Sequence, residues 1–198
     1  GSVALGARVR VEGEINASGV IVASEVRVRA GAGDSPVDAR IAANVDSVDV
    51  PAGRFVVLGV TVQVDADTRR EDQSDEGVRD FSLADLRGGG NPDFVEVRGI
   101  VQQDGSILAT LLQRQEPDVQ GLLRGRVATL ANPEFTLLGV TVQTDDFTSF
   151  LLDDGPELTA GEFFGGAAAA GDELKVRFLL NPPGESAPVL ADEVEIED

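Results

Sequence analysis

Apolar and polar residues alternate with a period of two along most of this chain. In residues 58–65, for example, Leu and Val alternate with Gly, Thr, Gln and Asp. Such alternation places apolar side chains on one face of a β-strand and polar side chains on the other. The pattern therefore predicts an all-β protein whose strands each have one buried and one solvent-facing side.

The hexamer Leu-Gly-Val-Thr-Val-Gln occurs twice, at residues 58–63 and at residues 138–143, and several flanking residues recur at the same spacing. Gly59 and Gly139 lie inside the strand pattern, where a glycine usually marks a bulge or a sharp bend. Small barrels need such bends to close. We therefore interpret the hexamer as a repeated structural element, the bend of a barrel strand.

Each copy then continues with signals for a short helix and a strand pair. Residues 82–85 and 159–162 both fit the Ser/Thr-x-x-Asp/Glu capping box, and a glycine pair that can end a short helix follows each. In the first copy the strand pair is joined by Asp104-Gly105, a strong hairpin signal. In the second copy the connection is longer and rich in proline, at residues 181–188.

The order in each copy is thus three strands, one short helix and two strands. Five strands with a helix between the third and the fourth are typical of the OB-fold, a small Greek-key barrel. We predict tandem five-stranded OB-like Greek-key barrels at residues 37–116 and 117–198, with a short proline-containing linker at the junction.

Residues 1–30 form a partial third copy, because a set of strand and turn residues matches the fourth and fifth strands of the first barrel at a constant offset of 86. These residues are Val9, Val11, Gly13, Gly19, Ile21 and Ala23. The match predicts an N-terminal β-hairpin without the first three strands of its module. A lone hairpin is marginally stable in water, so it must pack on something.

Four arrangements fit the N-terminal hairpin. It could be the end of an upstream copy, which we favour, or an added strand pair on the neighbouring barrel. It could also be half of a barrel shared between chains, which would give self-association. In a permuted pairing, residues 6–29 would join residues 41–67, and the C-terminal hairpin would be left alone.

The turn and core motifs resemble a bacterial domain-of-unknown-function family, whose members are OB-like modules, often in tandem in exported or envelope proteins. The second copy departs from the motif at Pro133, at Phe178 and in its missing Asp-Gly turn. The resemblance implies a periplasmic, envelope-associated or extracellular location and supplies no catalytic residues. The matching residues are Gly53, Phe55, Gly59, Val60, Val62, Asp93, Val95, Val97, Arg98, Gly99, Asp104, Gly105, Ala109 and Thr110.

The charge and composition of the chain exclude some classes of partner. The chain has 35 acidic and 16 basic residues, a formal net charge of −19. Such a surface repels nucleic acid and anionic lipid, so no nucleic acid partner is expected. No apolar run is long enough for a bilayer, so no membrane insertion is expected either. Gly1-Ser2 is typical of a cloning remnant, so a signal peptide could have been removed.

The chain has no Cys and no His. It therefore lacks thiolate ligands and the usual general base, and we predict a non-enzymatic protein with no catalytic residues and no cofactor. The remaining candidate chemistry is weak Ca²⁺ binding by clustered carboxylates, although Arg69 and Arg70 break the EF-hand spacing. The competing interpretation is a solvated acidic loop. The Ca²⁺ candidates are Asp65, Asp67, Asp145, Asp146, Asp153 and Asp154.

Phenylalanine is the only aromatic residue type. We expect Phe55, Phe94 and Phe135 in the core. A second group in the later copy is expected to pack the end of a barrel, with an apolar partner-binding patch as the alternative; it comprises Phe147, Phe150, Phe163 and Phe164.

The leading functional hypothesis is an exported envelope module that binds an unknown protein or glycan through barrel loops and strand edges. A Ca²⁺-dependent binding protein is the alternative. An OB-type nucleic-acid binder is the least supported of the three.

Overall fold

The structure, a computed structural model, describes residues 9–15, 20–28, 38–153, 155–180 and 188–197. These residues form two compact units, one with the N-terminal hairpin and one with the described residues between Asp38 and Glu197. The strands of the first copy are β3 (Asp38–Asp49), β4 (Arg54–Val57), β5 (Val60–Gln63), β6 (Arg69–Asp72), β7 (Phe94–Val101) and β8 (Ile107–Gln115). Those of the second copy are β9 (Gln120–Ala131), β10 (Glu134–Leu137), β11 (Val140–Gln143), β12 (Ser149–Leu152), β13 (Glu157–Leu158), β14 (Glu173–Leu179) and β15 (Val189–Glu197).

Five strands of the first copy close into a barrel. β3 pairs with β4 and with β7, β4 pairs with β5, and β8 closes the ring by pairing antiparallel with β7 and parallel with β5. The strands β9, β10, β11, β15 and β14 pair in the same cyclic order. The all-β prediction and the closed five-stranded barrel are therefore confirmed.

The alternation of apolar and polar residues gives each barrel its core. In β4 and β5 the residues Phe55, Val57, Val60 and Val62 are at most 6% exposed, whereas the residues between them are partly or fully exposed. Phe94 and Phe135, at 3% and 1% exposed, lie in the core as predicted. Since each buried Val, Leu, Ile or Phe contributes roughly 1.5–3 kcal/mol, this alternation is a main source of stability.

The repeated hexamer forms a hairpin turn, and the prediction that its glycine bends a continuous strand is wrong. Leu58 and Gly59 lie between β4 and β5, with φ of 51° and 75°, and Leu138 and Gly139 repeat this with 53° and 81°. Two central residues with positive φ are the mark of a type I′ turn, whose twist matches that of the paired strands. The alternation of apolar and polar residues continues through the turn, so the sequence pattern did not indicate a turn there.

Both predicted capping boxes are present. The backbone N–H of Ser82 donates to Asp85 Oδ2 at 2.9 Å, before a 3-10 helix at Leu83–Asp85. Thr159 and Glu162 exchange two such bonds, of 2.8 and 3.2 Å, around the helix α1 (Ala160–Glu162), which continues as a π-helical turn at Phe163–Ala167.

Each copy also has strand structure that the sequence pattern did not predict. β6 lies beside β8, and β12 lies beside β15, in parallel pairings that follow the third strand of each ring. The two-residue strand β13 adds to β12. β6 consists of charged residues only, so it lacks the alternation of apolar and polar residues that predicts a strand.

The two rings are joined in one sheet by a short pairing between β3 and β9. Ile41 lies opposite Leu123, with one further residue pair on each side. Ile41 and Leu123 are equivalent positions of the repeat. The pairing of β3 with β9, which we call the β3–β9 seam, is therefore centred on a local two-fold axis that relates the two strands. Both side chains are fully buried, and the apolar cores of the copies therefore belong to one cluster.

The N-terminal strands β1 (Val9–Ile15) and β2 (Ile21–Val28) form an antiparallel two-stranded sheet. This hairpin is the one that the partial repeat predicted, and it excludes the permuted pairing for these strands. Among the described residues, no helix is long and apolar enough to cross a membrane.

Candidate functional site

A groove of about 770 Å³ lies on the first barrel, where the β10–β11 turn of the second copy approaches it. Its wall comes from four pieces of chain: the β3–β4 turn, the β4–β5 hairpin, the β7–β8 turn and the β10–β11 turn. The residues that line it are Ala52, Gly53, Arg54, Gly59, Val60, Thr61, Gln63, Val64, Asp65, Asp104, Gly105, Ser106, Leu108, Leu138 and Gly139.

Both copies of the repeated hexamer contribute to this groove. The first supplies Gly59 and the outward-facing residues of β5, and the second supplies Leu138 and Gly139. The Gly59 N–H donates to Asp46 Oδ2 at 2.8 Å, which ties the first turn to β3. The groove is therefore built on short turns between paired strands.

A polar network forms the base of the groove. Gln63 Nε2 donates to Ser106 Oγ at 2.8 Å, and the Ser106 hydroxyl donates to Asp104 Oδ1 at 2.7 Å. The Ser106 N–H also donates to Asp104 Oδ1, at 3.0 Å, within the Asp-Gly turn that the sequence predicted. The hydroxyl of Ser106, followed by its backbone N–H, lowers the pKa of Asp104, so this carboxyl is an ionised acceptor.

The rim carries charged side chains that are already engaged in the protein. Arg54 Nη2 lies 3.2 Å from Asp49 Oδ2 in an exposed ion pair. Asp65 Oδ1 accepts hydrogen bonds from the N–H groups of Asp67 and Thr68, at 2.9 and 3.0 Å. Exposed pairs of this kind add little stability, so Arg54 can turn toward a ligand at small cost.

One strand edge in the groove is partly open. β5 pairs with β4 along its whole length, but among the described strands it pairs with β8 only through Val62 and Gln63. Val60 and Thr61 thus have no neighbour on that side among the strands that the structure describes. Together with the exposed Gly59, they present main-chain groups to whatever enters the groove.

The lining determines which chemistry the groove can perform. It offers hydroxyl, amide and main-chain hydrogen-bonding groups together with half-buried aliphatic surface from Val64, Leu108 and Leu138. Its serine and threonine have no histidine or lysine beside them in the lining to act as a base, as nucleophilic catalysis would need. The arrangement is suited to holding a polar ligand.

Two of the predicted Ca²⁺ residues form matching turns. Asp65 and Asp145 each cap a turn that ends in a threonine, and Thr68 and Thr148 each donate a hydroxyl to a carbonyl of the last barrel strand, at 2.7 Å. This shared structural task explains why the aspartate and the threonine recur together in the repeat.

The other Ca²⁺ candidates lie apart from a common centre. Asp67 and Asp146 are exposed, Asp153 is half-buried after β12, and Asp154 lies outside the described residues. Within the parts of the chain that the structure describes, no group of three or more acidic side chains is placed to hold a metal ion. The Ca²⁺ hypothesis stays a prediction.

Asp72, which follows the Ca²⁺ candidates Asp65 and Asp67 in the same acidic segment, is not solvated. Its side chain is fully buried, and Arg114, 2% exposed, binds it through Nε and Nη2 at 3.0 and 2.5 Å. Arg114 also lies over the ring of Phe81, at 5.1 Å from the ring centre. The sequence signal for this pair is weak, because its members are 42 residues apart.

The corresponding end of the second barrel is apolar. Phe163 packs against Phe150 and Phe164, with ring centres 4.6 and 5.0 Å apart. Phe150 and Phe163 are buried, as expected for residues that pack a barrel end, whereas Phe147 is 90% exposed. The prediction is therefore confirmed for the buried pair and wrong for Phe147.

Comparison with known proteins supports the repeat. A family model described as a domain of unknown function (DUF5666) matches residues 1–27, 42–113 and 124–195. The two longer segments fall on the two rings, and the first includes β1 and most of β2. Searches of curated proteins and of solved structures found no match to the chain.

Proposed function

We propose that this chain, which belongs to the DUF5666 family, is a non-enzymatic binding module of exported bacterial envelope proteins. The groove on the first barrel would hold its protein or glycan ligand. The observation that carries the proposal is the 770 Å³ groove itself, into which turns from both copies project.

The position of the groove supports this function. We interpret the two rings as tandem OB-like Greek-key barrels, since the third and fifth strands of each are parallel and a short helix precedes the fourth. OB-folds bind ligands on the face of their second and third strands, between the loops that follow the first and fourth strands. Here that face is the β4–β5 hairpin, and those loops are the turns at residues 50–53 and 102–106.

The groove chemistry favours a neutral polar ligand. Thr61 and Gln63 can each donate and accept hydrogen bonds, as the hydroxyl groups of a glycan require. The carboxylates of Asp65 and Asp104, on a chain of net charge −19, repel anionic polymers such as nucleic acid. A peptide segment is the other ligand that the open edge at Val60 and Thr61 would accept.

The proposal is tested by binding to an array of neutral and anionic oligosaccharides. The variant Thr61→Arg places a long side chain in the groove. The matched control is Thr141→Arg, because Thr141 holds the same position of the repeated hexamer in β11 and does not line this groove.

We expect binding to neutral glycans by the wild-type chain and by Thr141→Arg, and at least a tenfold loss for Thr61→Arg. Equal binding by both variants would refute the groove as the site. Binding to anionic glycans or to single-stranded oligonucleotides at low salt would refute the ligand class. Fractionation of cells that express the full-length gene product would test export.

A further inference from the structure

The N-terminal hairpin has the same internal register as the last two strands of each barrel. The β1–β2 register shifts between Glu12 and Gly13. The β7–β8 register shifts at the equivalent position, between Arg98 and Gly99, and the β14–β15 register shifts between Arg177 and Phe178. The three hairpins share the position of this bulge, so we interpret them as three copies of one structural element. Two of the three copies complete a barrel.

The register also gives the hairpin one apolar and one polar face. Val9 pairs with Val28, Val11 with Val26, Gly13 with Ala23 and Ile15 with Ile21, so these residues share a face. Arg10 and Glu12, with their partners Arg27 and Glu25, share the other face. In the first barrel, five of the eight residues equivalent to the apolar set are apolar core residues at most 3% exposed, namely Val95, Val97, Ile107, Ala109 and Leu112. The equivalent of Ile15 is the half-buried Val101, and the equivalent of Val28 is the buried Arg114.

The outer edges of the equivalent hairpin in the first barrel are both paired with other strands. In the first barrel, β7 gives its outer edge to β3, and β8 gives its outer edge to β5 and β6. Among the described strands, β1 and β2 pair only with each other. The hairpin therefore has both the face and the edges that a three-stranded sheet occupies in the other two copies.

The size of the hairpin favours such a sheet over a second hairpin. A strand of seven residues is about 23 Å long, and two strands are about 10 Å wide, which gives a face of about 230 Å². A stable interface buries about 800 Å² on each partner. Face-to-face packing of two hairpins falls far short of that value, whereas barrel closure adds backbone pairing along two edges to the buried face.

We propose that the N-terminal hairpin is an assembly element, which completes a barrel with the first three strands of another module of the same family. The three strands of that module would correspond to β3, β4 and β5. This inference goes beyond the binding groove, and neither depends on the other.

The test adds three strands that correspond to β3, β4 and β5 to the full chain, ahead of the hairpin. A second copy of residues 37–93 is joined directly ahead of Arg8 in place of residues 1–7, which preserves the 86-residue offset of the repeat. Hydrogen exchange is then measured for the amides of β1 and β2. The matched control carries Ile41→Asp in the added segment only, because Ile41 is fully buried in the barrel.

We expect the amides of β1 and β2 to exchange at least tenfold more slowly in the fusion than in the unfused chain, and to return to the unfused rate in the control. The amides of β7 and β14 report that the two existing barrels remain folded in every variant. Equal exchange in the fusion and the control would overturn the proposal. So would hairpin protection in the unfused chain that already equals that of β7.

Discussion

The buried ion pair between Asp72 and Arg114 is expected to be replaceable by two apolar residues. Leu152 and Ile196 pair in the second copy as Asp72 and Arg114 pair in the first, between the equivalent strands. The same barrel position therefore holds an ion pair in one copy and an apolar pair in the other. The double variant Asp72→Leu/Arg114→Ile tests whether the two are equivalent in free energy of unfolding.

The single variant Arg114→Ile should be strongly destabilising. It leaves the carboxylate of Asp72 buried with only Ser74 and the Val78 N–H as partners. Breaking a buried pair costs about 3–5 kcal/mol, which lowers the melting temperature by about 6–20 °C at 2–4 °C per kcal/mol for a chain of this size. Asp72→Leu should cost less, because Glu76 lies 3.1 Å from Arg114.

The double variant should recover most of that loss, since similar-sized apolar replacements of buried pairs are often neutral or stabilising. Asp93 stays paired in this variant, because Arg87 binds it at 2.6 Å. The assay is urea unfolding of all four proteins, which form a double-mutant cycle. A double variant as unstable as Arg114→Ile would refute the equivalence of the two barrel ends.

The same variants should differ in their response to acid. The guanidinium of Arg114 holds the pKa of Asp72 far below its usual range, against the opposing effect of burial. The stability that a lowered pKa provides is present above the unfolded-state value of about 3.9 and is lost as the pH falls toward the folded-state value. Below about pH 4, the wild-type protein should therefore lose stability faster than the double variant.

Three further predictions concern turns and packing. Gly59→Ala should cost about 1–2 kcal/mol, because Gly59 has a φ of +75°, whereas Gly90→Ala, with open space and no positive φ, should cost nothing in the same urea assay. Gly121→Ala should cost about 1–3 kcal/mol, since its Cβ would lie 2.3 Å from the ring of Phe178. Ca²⁺ should leave the melting temperature unchanged relative to NaCl of equal ionic strength, and a Ca²⁺-specific rise would support the cation-dependent alternative.

The sequence was most informative where a local pattern has one structural meaning. The capping boxes at Ser82 and Thr159 and the turn at Asp104-Gly105 formed as predicted. Their hydrogen bonds join residues a few positions apart, so short sequence windows contain all that determines them. The repeat then transferred each assignment from one copy to the other.

The turn at Leu58-Gly59 shows why the hexamer was misinterpreted. A leucine is unusual at a position with positive φ, and the expected Asn-Gly or Asp-Gly signal is missing. Leu58 packs partly against the apolar core, so tertiary contacts stabilise a conformation that its local preference disfavours. No short window of sequence contains that information.

The candidate site could not be located from the sequence for a similar reason. The groove combines Gly59 and Thr61 with Ser106 and with Gly139, which become neighbours only when the rings close and the β3–β9 seam forms. The acidic residues were the predicted site because they are clustered in the sequence. In the structure, Asp65 and Asp145 accept hydrogen bonds from backbone N–H groups of their own turns.

The most direct test of the binding groove is chemical-shift mapping by NMR, with the neutral oligosaccharide that binds best on the array. We predict that the largest amide shifts fall on Gly59, Thr61 and Ser106 of the first copy and on Gly139 of the second. Shifts that instead cluster around the exposed ring of Phe147, or a titration without localised shifts, would contradict the groove as the binding site.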